Sequence, residues 1–297
     1  MLRRHVTTLA GIALISVSAA PLPARAATTP VDLKPISPWL VDWPKDSCVL
    51  ARRFGSEKQP FLFSLRSYAP GYASQLLLAG RQVAAFQNRT DVSVRYGSGS
   101  PIPLQGGQSG LADGYGASLV VSTVLSEHDP ATAGIADYLS ARPFPDAAFE
   151  KRLDHVTLAT RSRQLRLATG PMAGALAELR KCTDDLVTGL GLDAEKQHGL
   201  IRTVSAANLD EWAPRIQALF PATLSMLGRG ARVILRVVVD TQGQPTRCDT
   251  FQTFDNTDFR VQACDIVMRR AKFHPALDAQ GAPIASIYSN VIIYKLN

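Results

Sequence analysis

Short stretches of hydrophobic residues recur through the first two hundred residues of the chain. Each is rich in β-branched, aromatic or aliphatic residues and is bounded by Gly, Pro or Ser clusters, which predicts half-buried β-strands. The clearest alternation is that of Phe61, Phe63 and Leu65. The predicted strands are 48–54, 61–65, 74–78, 92–94 and 118–125, followed by a hairpin of 155–158 with 164–167. The glycine-rich stretch 97–116 predicts a loop.

Helical spacing appears in two places in the same region. Apolar residues recur at near-helical intervals over 143–153, and Met172, Leu176 and Leu179 form a stripe along 172–187. We therefore expect a β-rich domain over 39–192 with one long closing helix. The polar stretch 193–213 is interpreted as a connector with some helix, and Pro214 indicates a boundary close to it.

The remaining residues, 214–297, predict a second and smaller α/β unit. A short helix begins at Phe220-Pro221, and an apolar strand over 233–239 turns at 240–243 into a second strand over 245–254. A helix over 259–272 and a turn at 278–281 lead to a closing strand over 286–296. The fold class is α+β.

The residue marks of this last unit resemble those of the C-terminal domain of TonB and the TonB/TolA-like energy transducers. The matching positions are Phe220, Pro221, Gly230, Asp240, Gly243, Phe273, Pro275 and Gly281, together with the terminal apolar strand. The resemblance implies an antiparallel sheet packed by helices. It covers residues from about 214 to 297 and does not extend to the N-terminal region.

The resemblance also implies a binding mode, because the last strand of that family pairs with a short segment of an outer-membrane receptor. An open sheet edge is a template for a partner strand. One face of the closing strand would carry Ser286, Tyr288, Asn290, Ile292 and Tyr294. We expect Ile287, Val291 and Ile293 to point toward the helix. Pairing within the domain or in a homodimer is the alternative.

The N-terminus has the features of a secretory signal peptide over 1–26. Arg3 and Arg4 precede an apolar run over 6–20, and Ala24-Arg-Ala26 offers small residues for cleavage. The run of about fifteen residues is shorter than the roughly twenty that span a bilayer. After an extended lead-in over 27–38, the exported protein would be periplasmic. A retained inner-membrane anchor, as in an energy transducer, is the alternative.

Four cysteines suit an oxidising compartment. Cys248 falls on the second strand of the last unit and Cys264 on the helix that packs over it, so we expect a bridge worth on the order of 3 kcal/mol. Cys48–Cys182 then follows by elimination, and four buried thiols are the alternative. Since no Cys-x-x-Cys or paired His spacing occurs, we expect no metal and no cofactor.

Charge and histidines say less about function. The net charge is +7, but the arginines are scattered, which favours a solvated surface over a nucleic-acid site. His128 and His155 are the candidates for a periplasmic hydrolase-like site. The interpretation we favour is a periplasmic, non-enzymatic adaptor with a protein partner in the envelope, linked to transmembrane transport. An anchored energy transducer and a hydrolase are the alternatives.

Overall fold

The computed structural model describes residues 30–71, 73–104, 106–127, 147–227, 231–252 and 257–294. The expected signal peptide lies outside these residues, as do His128 and Gly230. The described chain combines helices and strands, so the α+β class is confirmed.

The N-terminal domain contains two sheets. Within the described residues, the large sheet has the order β2-β3-β4-β5-β9-β8 and the small sheet has the order β1-β11-β10-β6-β7. The strands are β1 (Val31–Leu33), β2 (Leu40–Asp42), β3 (Cys48–Ser56), β4 (Gln59–Ser67), β5 (Ala73–Ala79), β6 (Ser93–Tyr96), β7 (Ile102–Pro103), β8 (Gln108–Ala112), β9 (Gly116–Val124), β10 (Val156–Ala159) and β11 (Gln164–Leu167). The helices are a 3-10 helix (Arg81–Ala85), α1 (Ala147–Arg152) and α2 (Ala173–Gly189).

One hydrophobic core lies between the two sheets and α2. Phe61, Phe63 and Leu65 are fully buried in it, as the alternation of β4 predicts. Tyr96 of β6 and Thr123 of β9 hydrogen-bond within this core at 2.7 Å, which joins the two sheets. The Cys48–Cys182 disulfide ties β3 to α2 with a Cα–Cα distance of 5.8 Å, so this predicted bridge is confirmed.

The stretch 97–116 is not a loop throughout, because it contains β7 and β8. β8 pairs with β9 from Gln108↔Val120 to Ala112↔Gly116 around a tight turn. Gly114 and Gly116 adopt positive φ angles of 76° and 87°, which glycine supplies without strain. Glycine therefore marks the turn of a hairpin here. The sequence did not predict β8, because backbone pairing with β9, rather than burial of its side chains, holds this strand in place.

The C-terminal domain forms a second core with its own sheet. Its helices are α3 (Ala194–His198), α4 (Leu209–Gln217), α5 (Ala222–Met226) and α6 (Thr257–Arg270). Its strands are β12 (Ser205–Ala206), β13 (Ala231–Val239), β14 (Pro245–Gln252), β15 (Phe273–His274), β16 (Ala276–Leu277), β17 (Pro283–Ile284) and β18 (Ser286–Tyr294). The order β14-β13-β18 makes an antiparallel three-stranded sheet, with β13 buried along its whole length.

The expected boundary between residues 213 and 214 is crossed by α4. Pro214 lies inside this helix, and Trp212 and Ile216 on its inner face are buried in the C-terminal core. The second half of the stretch interpreted as a connector, from Val204 through α4, therefore packs in the C-terminal core. The Cys248–Cys264 disulfide holds α6 on β14 with a Cα–Cα distance of 5.5 Å, which confirms the second predicted bridge.

Candidate functional site

The C-terminal sheet is covered on both of its faces. Successive residues of β13 point to opposite sides, as strand geometry requires. Val233, Leu235 and Val237 belong to the core beneath the helices. Ile234 and Val238 are also buried, on the opposite side, and belong to neither core. The hydrogen bonds of Arg232 and Arg236 place the N-terminal domain on that side.

The closing strand β18 follows the predicted alternation, but the assignment of its faces was wrong. Tyr288, Ile292 and Tyr294 point toward the helices, where Tyr288 contacts Trp212 with ring centroids 6.4 Å apart. The Tyr294 hydroxyl donates to the carbonyl of Ile216 at 2.8 Å. The helix side has room for these large rings and a backbone acceptor within reach, so the tyrosines occupy it.

Burial shifts the acidity of both tyrosines. It raises the pKa of Tyr288 to about 12, and the hydrogen bond from Asn290 opposes this shift. It also raises the pKa of Tyr294. Both phenols are therefore neutral at physiological pH and act as packing and hydrogen-bonding groups.

Two buried arginines of β13 bind the N-terminal domain. Arg232 and Arg236 each expose only 1% of their surface. Arg232 donates to the carbonyl of Gly106 at 2.7 Å and to the hydroxyl of Ser122 on β9. Burial lowers the pKa of Arg232 to about 10, so its guanidinium stays charged at neutral pH. Sequence reasoning did not single out this pair. The sequence feature that could have revealed it is two arginines four residues apart, and so on the same face, in an otherwise apolar strand.

Arg236 is the centre of the larger cluster between the domains. Its guanidinium donates to the carbonyls of Asp46 at 2.9 Å and Tyr68 at 3.3 Å and pairs with the carboxylate of Asp249 at 3.0 Å. It also lies 4.8 Å from the ring centroid of Phe251, which stacks on Tyr68 at 4.6 Å. We call Arg232, Arg236 and their partners the interdomain clasp.

With both faces covered, partner strands can reach only the two edges of this sheet. The edge strand β14 carries Pro245, Arg247 and Asp249, and proline and charge are the residues that discourage pairing at an edge. β18 spans nine residues with neither a charge nor a proline. By these criteria β18 is the edge open to a partner.

The outward backbone groups of β18 can be assigned from one hydrogen bond. The N–H of Val291 donates to the side-chain oxygen of Asn290 at 2.7 Å, so we place this N–H on the side away from β13. Backbone groups alternate along an antiparallel strand. The groups of Ile287, Ser289 and Ile293 therefore also face the open edge, while Asn290 shields its middle.

Neighbouring elements limit the open edge at both ends. At the start, Gln197 of α3 donates to the carbonyl of Ala285 at 3.0 Å and accepts from the hydroxyl of Ser286 at 2.5 Å. At the far end, Gly106 of the N-terminal domain lies against Ile293, whose terminal carbon is 2.6 Å from where a Cβ of residue 106 would be. The accessible edge therefore runs from Ile287 to Ile293.

The residues that resemble the family pattern have structural roles: they stack, cap a helix or close a turn. Phe220 stacks on Tyr294 with centroids 4.4 Å apart, and Pro221 is the N-cap residue of α5. Asp240 accepts from the N–H groups of Gln242 and Gln244 in the turn after β13.

The remaining family-type residues are the glycines that end the two turns and the two residues of the corner between α6 and β18. Gly243 accepts from the N–H of Phe273 at 3.0 Å, and Pro275 lies beside it. Gly281 closes the Asp278 turn with φ 80°.

The histidine candidate that the structure describes lies away from the open edge. His155 precedes β10 and contacts the exposed carboxylate of its neighbour Asp154 at 2.5 Å. Among the described residues, no group of three or more His, Cys, Asp or Glu side chains is arranged to hold a metal ion.

Comparison with known proteins identifies the C-terminal domain. Residues 217–296 match the model of the Gram-negative bacterial TonB protein C-terminal family, which confirms the resemblance read from the sequence. This match covers roughly the last quarter of the chain and associates it with envelope transport of the TonB type. No curated protein matches the chain. In the part of the chain that the structure describes, every helix is too short or too polar to cross a membrane.

Proposed function

We propose that this chain is a periplasmic adaptor that captures an extended segment of an envelope protein by strand addition to β18. The observation that carries this proposal is the outer edge of a sheet whose two faces are already covered: among the described residues no strand pairs with β18 on this side, and only the Asn290 side chain caps its middle. Backbone hydrogen bonds would supply the affinity, and the neighbouring side chains would supply selectivity. The adaptor has no catalytic role in this proposal.

The N-terminal domain gives the proposed site one of its walls. The face of β18 opposite the helices carries Val291 and Ile293, and Gly106 of the N-terminal domain packs against Ile293. A bound segment would therefore place one set of alternate side chains beside the N-terminal domain and the other set beside the C-terminal helices. In this arrangement both domains select the partner.

The test is Val291→Pro, which removes one outward N–H without removing a donor to β13. Proline is compatible with an edge strand, so the domain is expected to fold. The probe is a displayed library of peptides from envelope proteins, followed by affinity measurement of the selected peptides. We expect Val291→Pro to lose at least tenfold in affinity for two reasons. The N–H that a bound segment would take over from the Asn290 side chain is lost, and the proline ring obstructs the edge.

Val291→Ala is the matched control, because it shortens the same side chain and keeps the N–H. It should bind within about threefold of the wild type. Equal binding by the proline and alanine variants, or a library that selects no peptide, would refute strand addition at this edge. Deleting the strand would be uninformative, since Tyr288, Ile292 and Tyr294 are core residues.

The alternatives from the sequence make distinct predictions about the N-terminus and the assembly. A mature protein that begins at Ala27 supports export with cleavage, and retention of residues 1–26 supports an anchored energy transducer. Sedimentation of the wild type distinguishes a homodimer, since pairing of two β18 edges would be abolished by Val291→Pro.

A further inference from the structure

The small sheet of the N-terminal domain has one buried face and one polar face. Val94, Val156, Leu158 and Leu165 point into the core. The residues between them point outward, because side chains alternate along each strand. This outward face takes no part in the open edge of β18 or in the interdomain clasp.

Strand register places two arginines on this outward face, with one threonine between them. Thr157 of β10 pairs with Arg95 of β6 on one side and with Arg166 of β11 on the other. Since adjacent strands are about 4.8 Å apart, the two arginine backbones lie roughly 10 Å from each other. The next row consists of Ser93, Ala159 and Gln164, which are small or neutral.

The turn between β10 and β11 adds further positive charge at the end of this face. Arg161 and Arg163 are exposed there. The N–H of Arg161 donates to the carboxylate of Asp91 at 3.2 Å, which holds the turn against the loop before β6. Asp91 itself is neutralised by a bidentate pair with Arg89 at 2.8 Å. The other acidic residue in the register is Asp32, which pairs across from Arg166 on the edge strand β1.

We define the basic face as Arg95, Arg161, Arg163 and Arg166, and we propose that it binds the phosphate groups of an anionic lipid surface. Arginine is the side chain best suited to phosphate, because its planar guanidinium donates two parallel hydrogen bonds.

Nucleic acid fits the same charge less well. The two outward rows contain no aromatic side chain on which exposed bases could stack. A sheet face also does not enter the major groove as a helix or a two-stranded ribbon does. The envelope association of the C-terminal domain places phospholipid phosphates within reach of this chain. The proposal does not depend on strand addition at β18.

The experiment measures binding of the full mature protein to vesicles of phosphatidylglycerol in phosphatidylcholine, with pure phosphatidylcholine as the neutral arm. A triple variant changes Arg95, Arg161 and Arg166 to Gln. Each basic residue near an anionic surface contributes about fivefold to binding, so the triple variant should bind roughly a hundredfold more weakly. The wild type should also release the vesicles as salt is raised.

The matched control changes Arg215, Arg269 and Arg270 to Gln, which removes the same charge from exposed positions of the C-terminal domain. It should bind within about threefold of the wild type. An equal loss in the two triple variants would overturn the proposal, because net charge alone would explain it. So would failure of the wild type to bind the anionic vesicles. Tighter binding of a single-stranded oligonucleotide that needs the same three arginines would replace lipid with nucleic acid.

Discussion

Two glycines in equivalent turns have different roles at the scale of single residues. Gly243 and Gly281 each end an Asp-x-x-Gly turn, with φ angles of 79° and 80°. A Cβ on Gly243 would lie 2.0 Å from the carbonyl oxygen of Phe273. No atom lies within 4 Å of the corresponding position at Gly281. The first turn is therefore held against the corner between α6 and β18, whereas the second is free on the surface.

Alanine at these two positions separates backbone strain from steric conflict. Gly281→Ala should cost about 1 kcal/mol, which is the price of the left-handed conformation alone. Gly243→Ala should cost about 3 kcal/mol or more, because the backbone of residue 273 must also move. Urea unfolding of the two variants measures the difference. Equal losses would show that the corner around Phe273 can adjust to an extra methyl group.

At the scale of elements, β18 is a strand whose ionisable groups are buried on its inner face. The pKa of Tyr288 is raised to about 12, against an ordinary value of 10.0 in the unfolded chain. A raised pKa in the folded state means that the full stability is present below pH 10. It is lost as the pH rises through the interval between 10 and 12. The raised pKa of Tyr294 acts in the same direction.

Tyr288→Phe should therefore flatten the fall in stability above pH 10. Near neutral pH it should cost only about 1 kcal/mol, because a single hydrogen bond from Asn290 is lost. Urea unfolding at a series of alkaline pH values gives the slope directly. A slope unchanged from that of the wild type would mean that the phenol of Tyr288 ionises without disturbing the strand.

The sequence predicted those elements whose side chains alternate against a core. β4 was found because its apolar residues repeat every second position. β3, β5 and β9 were found because they are rich in β-forming or aliphatic residues between Gly, Pro and Ser clusters. The Cys248–Cys264 disulfide followed from a strand and the helix packed on it, and Cys48–Cys182 followed by elimination. β8 was missed because its residues are mostly exposed. The prediction placed a domain boundary at Pro214, in the middle of α4. The helix continues through this proline because Trp212 and Ile216, on either side of it, are both buried in the C-terminal core.

The strand that carries the candidate site was predicted in position, but the orientation of its two faces was not. The terminal strand was correctly placed at the end of an antiparallel sheet. Alternation alone cannot tell which of two apolar faces meets a helix. In this strand the face with Tyr288 and Tyr294 packs against the helices. The second face of the sheet could not be predicted, since the domain that covers it is more than a hundred residues away in the chain.

At the scale of the whole molecule, the interdomain clasp joins two separate cores. Arg236 reaches the carbonyls of Asp46 and Tyr68, which are more than 150 residues earlier in the sequence. A buried guanidinium is stabilising only when its donors are satisfied, and these acceptors satisfy them. Opening the interface would leave the Arg236 donors without these acceptors and would also expose Ile234 and Val238. We therefore expect the two domains to unfold together.

Arg236→Ala tests this coupling, with Arg247→Ala as its control. Both arginines pair with the same carboxylate of Asp249, but Arg247 is half exposed and, in the described residues, has no hydrogen bond or ion pair to the N-terminal domain. Arg236→Ala should cost about 3 kcal/mol, because buried carbonyls and Asp249 lose a donor. Arg247→Ala should cost less than about 1 kcal/mol, as exposed ion pairs do.

Two tryptophans allow the domains to be followed separately. Trp39 packs against the N-terminal core and Trp212 is buried in the C-terminal core, so their fluorescence reports on different parts of the molecule. In a background in which Trp43 and Trp39 are replaced by Phe, Trp212 is the remaining tryptophan, and its urea transition should coincide with the transition of the whole molecule followed by far-UV circular dichroism. In the Arg232→Ala, Arg236→Ala double variant the two transitions should separate. If they stay coincident, the apolar contacts of Ile234 and Val238 hold the domains together without the arginines, and the clasp serves only to orient the sheet.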